Sequence, residues 1–174
     1  MNHQKKICVI GEFGVGKTSL ISRYVRSLFS DKYHTTIGVK IDKKSVIVDA
    51  SEVGLIIWDI AGESEFGSMK PNYLAGASGY LLVADGTRLD TIDSAMALQQ
   101  KISSILGPVP FILALNKADL PERWAISPGS VGALKLAGWD IRTSSAKTGD
   151  GVEDIFQDLA GRLVRSPGER RAFR

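Results

Sequence analysis

A glycine-rich stretch between a strand-like run and a helical pattern constrains the fold of this chain more than any other feature. The nine residues GEFGVGKTS (residues 11–19) follow the apolar run at residues 7–10 and lead into the helical spacing of residues 18–28. Glycines at such a turn let backbone N–H groups approach a ligand closely. The stretch therefore predicts a strand–turn–helix unit with a binding site at the turn.

Strand-like runs and helical patterns alternate along the rest of the chain. The runs predict strands at residues 6–10, 39–48, 53–60, 79–85, 110–116 and 139–145, and helical spacing recurs at residues 90–106, 128–136 and 152–164. The second run alternates polar and apolar residues, and DASE predicts an antiparallel turn into the third run. The other runs are continuously apolar, as in strands covered on both faces. The pattern predicts one α/β domain whose mainly parallel sheet lies between helix layers.

Composition places the chain among soluble globular proteins. It has 174 residues, 44% of them hydrophobic and 24% charged. The single cysteine, Cys8, cannot form a disulfide within the chain, which favours a reducing compartment and a buried, structural role. No apolar run approaches the roughly 18 residues of a membrane span. We therefore expect a cytoplasmic protein.

The basic residues are concentrated at the carboxyl end. The net charge is +3, and residues 162–174 hold five arginines and one glutamate. We expect the domain to cover residues 1–165 and a basic tail to cover residues 166–174. The tail is either a solvated extension or a contact for an anionic membrane surface or an acidic partner. Basic residues are not interleaved with aromatic ones, so we expect no nucleic-acid binding.

The glycine-rich stretch matches the phosphate-binding pattern G-x-x-x-x-G-K-[ST] with Gly11, Gly16, Lys17 and Thr18. Its backbone N–H groups and the start of the following helix attract phosphate. We expect Lys17 to reach the terminal phosphates and the Thr18 hydroxyl to ligate Mg²⁺. The motif predicts a nucleotide without specifying its base.

Two later motifs predict that the base is guanine. NKAD (residues 116–119) follows the fifth strand, and the carboxylate of Asp119 can accept both N–H groups of guanine, a pair that adenine lacks. SAK (residues 145–147) can present the backbone N–H of Ala146 to the guanine carbonyl. The lysines of both motifs have apolar stems that can lie along base and sugar.

Two further motifs lie between the phosphate and base motifs. In WDIAGE (residues 58–63), Asp59 can hold Mg²⁺ through water and the Gly62 N–H can meet a γ-phosphate. In HTTIG (residues 34–38), the Thr36 hydroxyl can join the Mg²⁺ shell while a γ-phosphate holds the loop inward. We expect His34 to be exposed and the ring of Trp58 to pack at the sheet edge.

Taken together and in this order, the five motifs resemble those of Ras-superfamily small GTPases, and residues 56–91 are most similar to the Rab branch. The resemblance covers roughly residues 5–165. It implies a P-loop NTPase three-layer sandwich with a six-stranded, mainly parallel sheet and about five helices. It also implies a switch between GTP and GDP forms, with Phe29 against the guanine and Tyr33 over the phosphates.

The expected site residues fall into three sets. The catalytic set is Lys17, Thr36, Gly62 and Glu63, and the metal set is Thr18, Thr36 and Asp59. The nucleotide contacts are Gly11, Phe13, Gly14, Val15, Gly16, Lys17, Thr18, Ser19, Phe29, Tyr33, Thr36, Gly62, Asn116, Lys117, Asp119, Ser145, Ala146 and Lys147.

The chain departs from the family pattern at two positions that are expected to lie near the γ-phosphate. Glu63 replaces the usual glutamine that orients the attacking water, so we expect slow hydrolysis. Phe13 replaces the glycine that Ras carries beside the γ-phosphate. We expect Phe13 to lie against the second switch segment and to obstruct an activating protein's arginine; the alternative is that it points to solvent.

The resemblance also bears on partners. The ending RRAFR has no cysteine for a prenyl group and position 2 is not glycine, so we expect no lipid anchor and at most peripheral membrane contact. Such a chain resembles bacterial and archaeal small GTPases, whose partners include roadblock-type proteins. We expect a monomer that meets effectors, an exchange factor and an activating protein, with effector contacts centred on Ile37, Trp58, Phe66 and Tyr73.

Three function classes remain open at this point. The first is a GTP-hydrolysing molecular switch, whose Thr36 and residues 62–73 are ordered differently with GTP and with GDP. The second is a GTP-binding scaffold with very weak hydrolysis or none. The third is a P-loop kinase or another nucleotide enzyme, which the guanine motif and the absence of a lid or acceptor-substrate insertion disfavour.

Overall fold

A six-stranded mixed sheet forms the centre of the protein. The structure is a computed structural model and describes residues 3–30, 36, 38–62 and 70–165. The strands are β1 (His3–Gly11), β2 (Val39–Val48), β3 (Ser51–Ile60), β4 (Gly79–Asp85), β5 (Phe111–Asn116) and β6 (Ile141–Thr143). Their order is β2-β3-β1-β4-β5-β6, and only the β2–β3 pair is antiparallel. The predicted mainly parallel α/β sheet is confirmed.

Four α-helices and two 3₁₀ turns lie in the described part of the chain, where the sequence predicts about five helices. They are α1 (Lys17–Arg26), α2 (Asp90–Leu106), α3 (Pro128–Leu136) and α4 (Val152–Val164), with the turns Pro71–Tyr73 and Pro121–Arg123. Helix α1 ends two residues before the predicted position because Ser27 adopts a left-handed conformation (φ 55°) and donates its N–H to the Arg23 carbonyl. Among the described helices, none is long and apolar enough to cross a bilayer.

Helices cover both faces of the sheet. Alternate residues of β1 enter two separate clusters: Ile7 and Val9 pack beneath α1 and α4, whereas Cys8 and Ile10 pack beneath α2. The alternation follows from the period of two of a strand. All seven residues of β4 are buried, as its continuously apolar run predicts. The result is a sandwich of three layers.

The turn DASE closes the β2–β3 hairpin as predicted. Asp49 and Ala50 have φ values of 48° and 65°, and Val48 pairs with Ser51 across the turn. Two consecutive residues with positive φ are typical of a two-residue type I′ turn, whose twist matches that of the flanking strands. The hairpin places β2 at one edge of the sheet.

The thiol of Cys8 is expected to be unreactive in the folded protein. Its side chain is fully buried, and burial raises its pKa to about 11 against the opposing charge of Lys6. At about pH 8, only about one such thiol in a thousand is ionised, and the thiolate is the reactive form. Ellman's reagent should therefore label the native protein at least about 100-fold more slowly than the urea-unfolded protein, which serves as the control. Rapid labelling of the native protein would contradict this burial.

Candidate functional site

A cavity of about 320 Å³ lies at the edge where the carboxyl ends of the parallel strands meet. Segments that follow β1, β3, β5 and β6 line it, together with Thr36, so residues of all five motifs come together. The lining residues are Phe13, Gly14, Gly16, Lys17, Thr18, Ser19, Phe29, Ser30, Thr36, Gly62, Asn116, Lys117, Asp119, Leu120, Ala146 and Lys147. This edge is where open α/β sheets hold their ligands.

Most of the residues predicted to bind a nucleotide line this cavity. Four nucleotide contacts and the catalytic Glu63 either do not line it or fall outside the described residues. Gly11, Val15 and Ser145 are buried behind the lining residues. Tyr33 and Glu63 lie outside the described residues. Ser30 and Leu120 line the cavity without having been predicted, since neither belongs to one of the five motifs.

The phosphate loop wraps around the side chain of Lys17. Its ammonium group donates to the carbonyls of Gly11 and Glu12, at 3.0 Å each. Burial lowers the pKa of Lys17 to about 8, although the charges of Asp59 and Glu12 act in the opposite direction. Helix α1 starts at Lys17 with no acidic residue in its own first turn, so the positive end of its dipole meets the cavity.

Three oxygen-bearing side chains gather beside the phosphate loop. The Thr18 hydroxyl donates to Asp59 Oδ2 at 2.6 Å and lies 2.5 Å from the Thr36 hydroxyl. Asp59 is 1% exposed, and its Oδ1 atom has no hydrogen-bond partner within the described ranges. Burial raises the pKa of Asp59 more than the Thr18 hydrogen bond and the Lys17 charge lower it. An all-oxygen donor set with a buried, unsatisfied carboxylate oxygen fits Mg²⁺.

The base motifs are joined to the phosphate loop through Asn116. Its Nδ2 donates to the Val15 carbonyl at 3.0 Å, and its Oδ1 accepts from the Ala146 N–H at 3.2 Å. Asn116 is 2% exposed, so one buried amide fixes two loops at once. Next to it, Ser145 Oγ donates to Asp119 Oδ1 at 2.7 Å and orients that carboxylate at the cavity.

Lys117 forms a second link between strand ends and the phosphate loop. Its ammonium group donates to the Gly14 carbonyl at 3.1 Å and lies 2.8 Å from Asp85 Oδ2. Burial raises the pKa of Asp85, but the hydrogen bonds from Lys117 and Thr87 outweigh it and leave the pKa below its ordinary value. Asp85 is therefore held as the anion that positions Lys117.

Arg23 of α1 supports the SAK loop, a role that the sequence motifs do not reveal. Its guanidinium donates to the carbonyl of Ala146 at 2.8 Å and to that of Lys147 at 2.5 Å. Charge-assisted bonds to two successive carbonyls fix the loop strongly. Because 123 residues separate Arg23 from Ala146, no local sequence signal could have indicated the contact.

The motif that contains Gly62 approaches the phosphate loop closely. A Cβ atom on Gly62 would lie 2.5 Å from the Phe13 nitrogen, so only glycine fits there. On the neighbouring surface, the rings of Trp58 and Tyr73 lie 6.4 Å apart, and the Lys6 ammonium lies 3.6 Å from the Trp58 ring centroid. Trp58 is partly buried and packs against the cluster beneath α2, but it lies on an inner strand and not at the sheet edge as expected. Ile37 and Phe66, also expected at the effector surface, lie outside the described residues, as does His34.

Comparison with known proteins identifies the family. A sequence model of the Ras family matches residues 6–165. The chain belongs to the Ras family. It is 32% identical to the Ras-related protein Rab-18 of Caenorhabditis elegans, an alignment that covers 97% of this chain and 86% of the relative. It is 36% identical to human Ras-related protein Rab-32 and 39% identical to the mouse protein of that name, in each case over 93% of this chain and 76% of the relative.

These relatives make the chain a Rab-like member of the Ras family, as the motifs predicted. Membership supports a GTP-binding switch protein with GTPase activity at the level of the family. It also supports, in general terms, regulators and effectors as partners. The three-layer sheet and the cavity at its carboxyl edge agree with the P-loop fold of this family.

Proposed function

We propose that this protein is a molecular switch that binds GTP in the cavity with Mg²⁺ and hydrolyses it to GDP and phosphate. The observation that carries the proposal is that the phosphate loop and the two base motifs meet at one cavity. Asn116, the first residue of NKAD, is hydrogen-bonded to Val15 of the phosphate loop and to Ala146 of the SAK loop. In the proposed complex the phosphate loop would bind the phosphates of a guanine nucleotide, and the Asp119 carboxylate would accept two N–H groups of its base.

Each part of the cavity has a separate task in this proposal. Lys17 neutralises the terminal phosphates, and Asp119 selects guanine. Thr18, Thr36 and Asp59 would hold Mg²⁺, which when bound supplies positive charge that offsets the charge of the phosphates. Lys17 moves from the carbonyls of Gly11 and Glu12 to the phosphate oxygens without leaving the loop.

Glu63 sets the rate in this proposal. A carboxylate can accept a hydrogen bond from the attacking water, but unlike glutamine it cannot donate one to a phosphate oxygen. Its charge also repels the polyanionic nucleotide. Since catalysis of phosphoryl transfer depends on positioning and electrostatics, we expect intrinsic turnover well below about one per second.

Single-turnover phosphate release from GTP and Mg²⁺ tests the function and the role of Glu63. The wild-type protein should release one phosphate slowly for each bound GTP, and Glu63→Ala should be slower by about tenfold because the water loses its acceptor. Glu122→Ala, which removes an exposed carboxylate from the turn at Pro121–Arg123, should leave the rate unchanged. Equal rates for Glu63→Ala and the wild-type protein would remove Glu63 from the catalytic set.

A GTP-binding scaffold is the second candidate, and the replacement of glutamine by Glu63 is the observation that favours it. It predicts tight GTP binding with very weak phosphate release or none in the same assay. Release of one phosphate for each bound GTP at a rate that Glu63→Ala lowers would exclude it.

The switch itself is proposed to involve Thr36 and residues 62–73, which a γ-phosphate would hold to the phosphate loop in addition to the contact between the Thr36 and Thr18 hydroxyls. Effectors would read Trp58 and Tyr73 on the surface described above, together with Ile37 and Phe66. An exchange factor, an activating protein and roadblock-type proteins are the proposed classes of partner, and the protein is proposed to act as a monomer.

A further inference from the structure

A cluster outside the five motifs holds the first half of the phosphate loop from the side of α2. The Arg88 guanidinium donates through Nη1 to the Phe13 carbonyl and through Nη2 to Glu12 Oε1, at 3.2 Å each. Ser94 Oγ donates to the other carboxylate oxygen, Glu12 Oε2, at 2.5 Å. Both oxygens of Glu12 are therefore bound by residues from the segment that begins α2.

The bond from Arg88 to the Phe13 carbonyl determines where the next amide points. In a trans peptide the carbonyl and the following N–H point in opposite directions. Because Arg88 holds the Phe13 carbonyl towards α2, the Gly14 N–H is turned the opposite way, and Gly14 lines the cavity. Lys117 holds the next carbonyl, that of Gly14, so a cationic side chain fixes the peptide on each side of this residue.

Arg88 also balances a negative charge that the phosphate-binding pattern does not require. Glu12 stands at a variable position of that pattern, directly before Phe13, which lines the cavity. Its side chain is 21% exposed, so solvent screens its charge only in part. An unpaired carboxylate here would repel a polyanionic ligand, whereas its ion pair with Arg88 removes that repulsion.

We propose that Arg88 is a positioning residue for phosphate binding, which aims the Gly14 N–H at the phosphates and neutralises Glu12. The inference rests on the proposed function, because it assumes that a guanine nucleotide occupies the cavity. Arg88 is distant in sequence from every motif. The proposal states that it strengthens binding of the phosphates of the ligand and does not affect binding of the base.

The affinities of GDP, IDP and guanosine, measured by competition with a fluorescent GDP analogue, test this assignment. Arg88→Ala should weaken GDP and IDP alike, by about tenfold, because both carry the same phosphates and one charge-assisted contact behind the loop is lost. Guanosine has no phosphate, so its affinity should change by less than about twofold. Arg142→Ala is the matched control: its side chain is 35% exposed against 38% for Arg88, and it pairs with two carboxylates without lining the cavity.

A second pair of variants separates the two parts of the role. Glu12→Gln removes the charge, so adding it to Arg88→Ala should restore part of the lost GDP affinity if repulsion contributes. Arg88→Lys keeps the charge but has no planar fork that serves Glu12 and Phe13 together. The affinity of Arg88→Lys for GDP should fall by more than its affinity for guanosine. This variant replaces Arg88→Ala if the latter fails to fold.

Four results would overturn the proposal. In a folded Arg88 variant, unchanged GDP affinity would show that the loop positions its own amides, and an equal loss for guanosine would show a general structural role. A lower melting temperature with unchanged affinities would likewise leave Arg88 with structural importance only. A wild-type protein that binds no guanine nucleotide would overturn the proposed function, and this inference with it.

Discussion

Replacement of Gly16 by alanine is expected to abolish tight nucleotide binding and to destabilise the fold. Gly16 has a φ of +101°, and a Cβ atom there would lie 2.3 Å from Asn116 Nδ2. Asn116 cannot move aside cheaply, because it is buried and hydrogen-bonded to Val15 and Ala146. The substitution therefore combines backbone strain with the loss of the link between the phosphate loop and the SAK loop.

Gly138→Ala separates these two effects. Gly138 has a φ of +92° with no atom within 4 Å of an added Cβ, so its alanine variant shows the strain alone, about 1–2 kcal/mol. In urea unfolding without added nucleotide, Gly16→Ala should cost about 1–3 kcal/mol more than this control, as overpacking does. GDP affinity should fall by at least about 100-fold in Gly16→Ala and stay unchanged in Gly138→Ala. Equal unfolding costs for the two variants would show that the contact with Asn116 is unimportant.

The second large effect is expected from Asp119→Asn, which should convert guanine preference into xanthine preference. In the proposed complex the carboxylate would accept the ring N–H and the exocyclic amine of guanine, whereas an asparagine amide would offer a donor where xanthine has a carbonyl. Ser145 Oγ, which holds Asp119 Oδ1 at 2.7 Å, can donate equally to the asparagine oxygen. The side chain should therefore keep its position, and the change should be confined to base selection.

Competition between GDP and XDP for the cavity measures the change. Sites that hydrogen-bond their substrate discriminate by about 10⁴-fold against a ligand that leaves those groups unpaired, and the preference for GDP over XDP should shift by about this factor. Asp150→Asn is the control, since it removes the same charge from an exposed position that does not line the cavity. An unchanged GDP preference in Asp119→Asn would refute the proposed reading of the base.

Elements with a long, regular pattern were predicted most closely from the sequence. The bounds of β2, β4, α2, α3 and α4 agree with the predicted ones. In β2, α2 and α4 the period extends over the whole element, and β4 is one continuous apolar run. The sixth strand is shorter than predicted, Ile141–Thr143 instead of residues 139–145. It pairs only with β5, along three residues, and the length of an edge strand is set by its neighbour and not by its own composition.

The candidate site was likewise predicted only in part. The motifs predicted which loops meet at the cavity, because four of the five follow predicted parallel strands, which end at one edge. HTTIG instead lies between α1 and β2, so its place at the cavity came from the resemblance. The contacts that hold these loops in place could not be predicted. Arg23 and Arg88 bind carbonyls that lie 123 and 75 residues away in sequence. Asp85 ends a strand of the core, and nothing in its sequence context indicates that its carboxylate positions Lys117.

The buried amide of Asn116 makes the two ends of the cavity thermodynamically dependent on each other. Whatever orders the SAK loop around a base also restrains the phosphate loop through Val15, and the reverse holds equally. A nucleoside and a free diphosphate, each bound alone, would each bear part of the entropy cost of ordering the other's loop, whereas one nucleotide bears that cost once. We therefore expect an intact nucleotide to gain more free energy than its fragments do in sum, and the protein to select ligands that span the whole cavity.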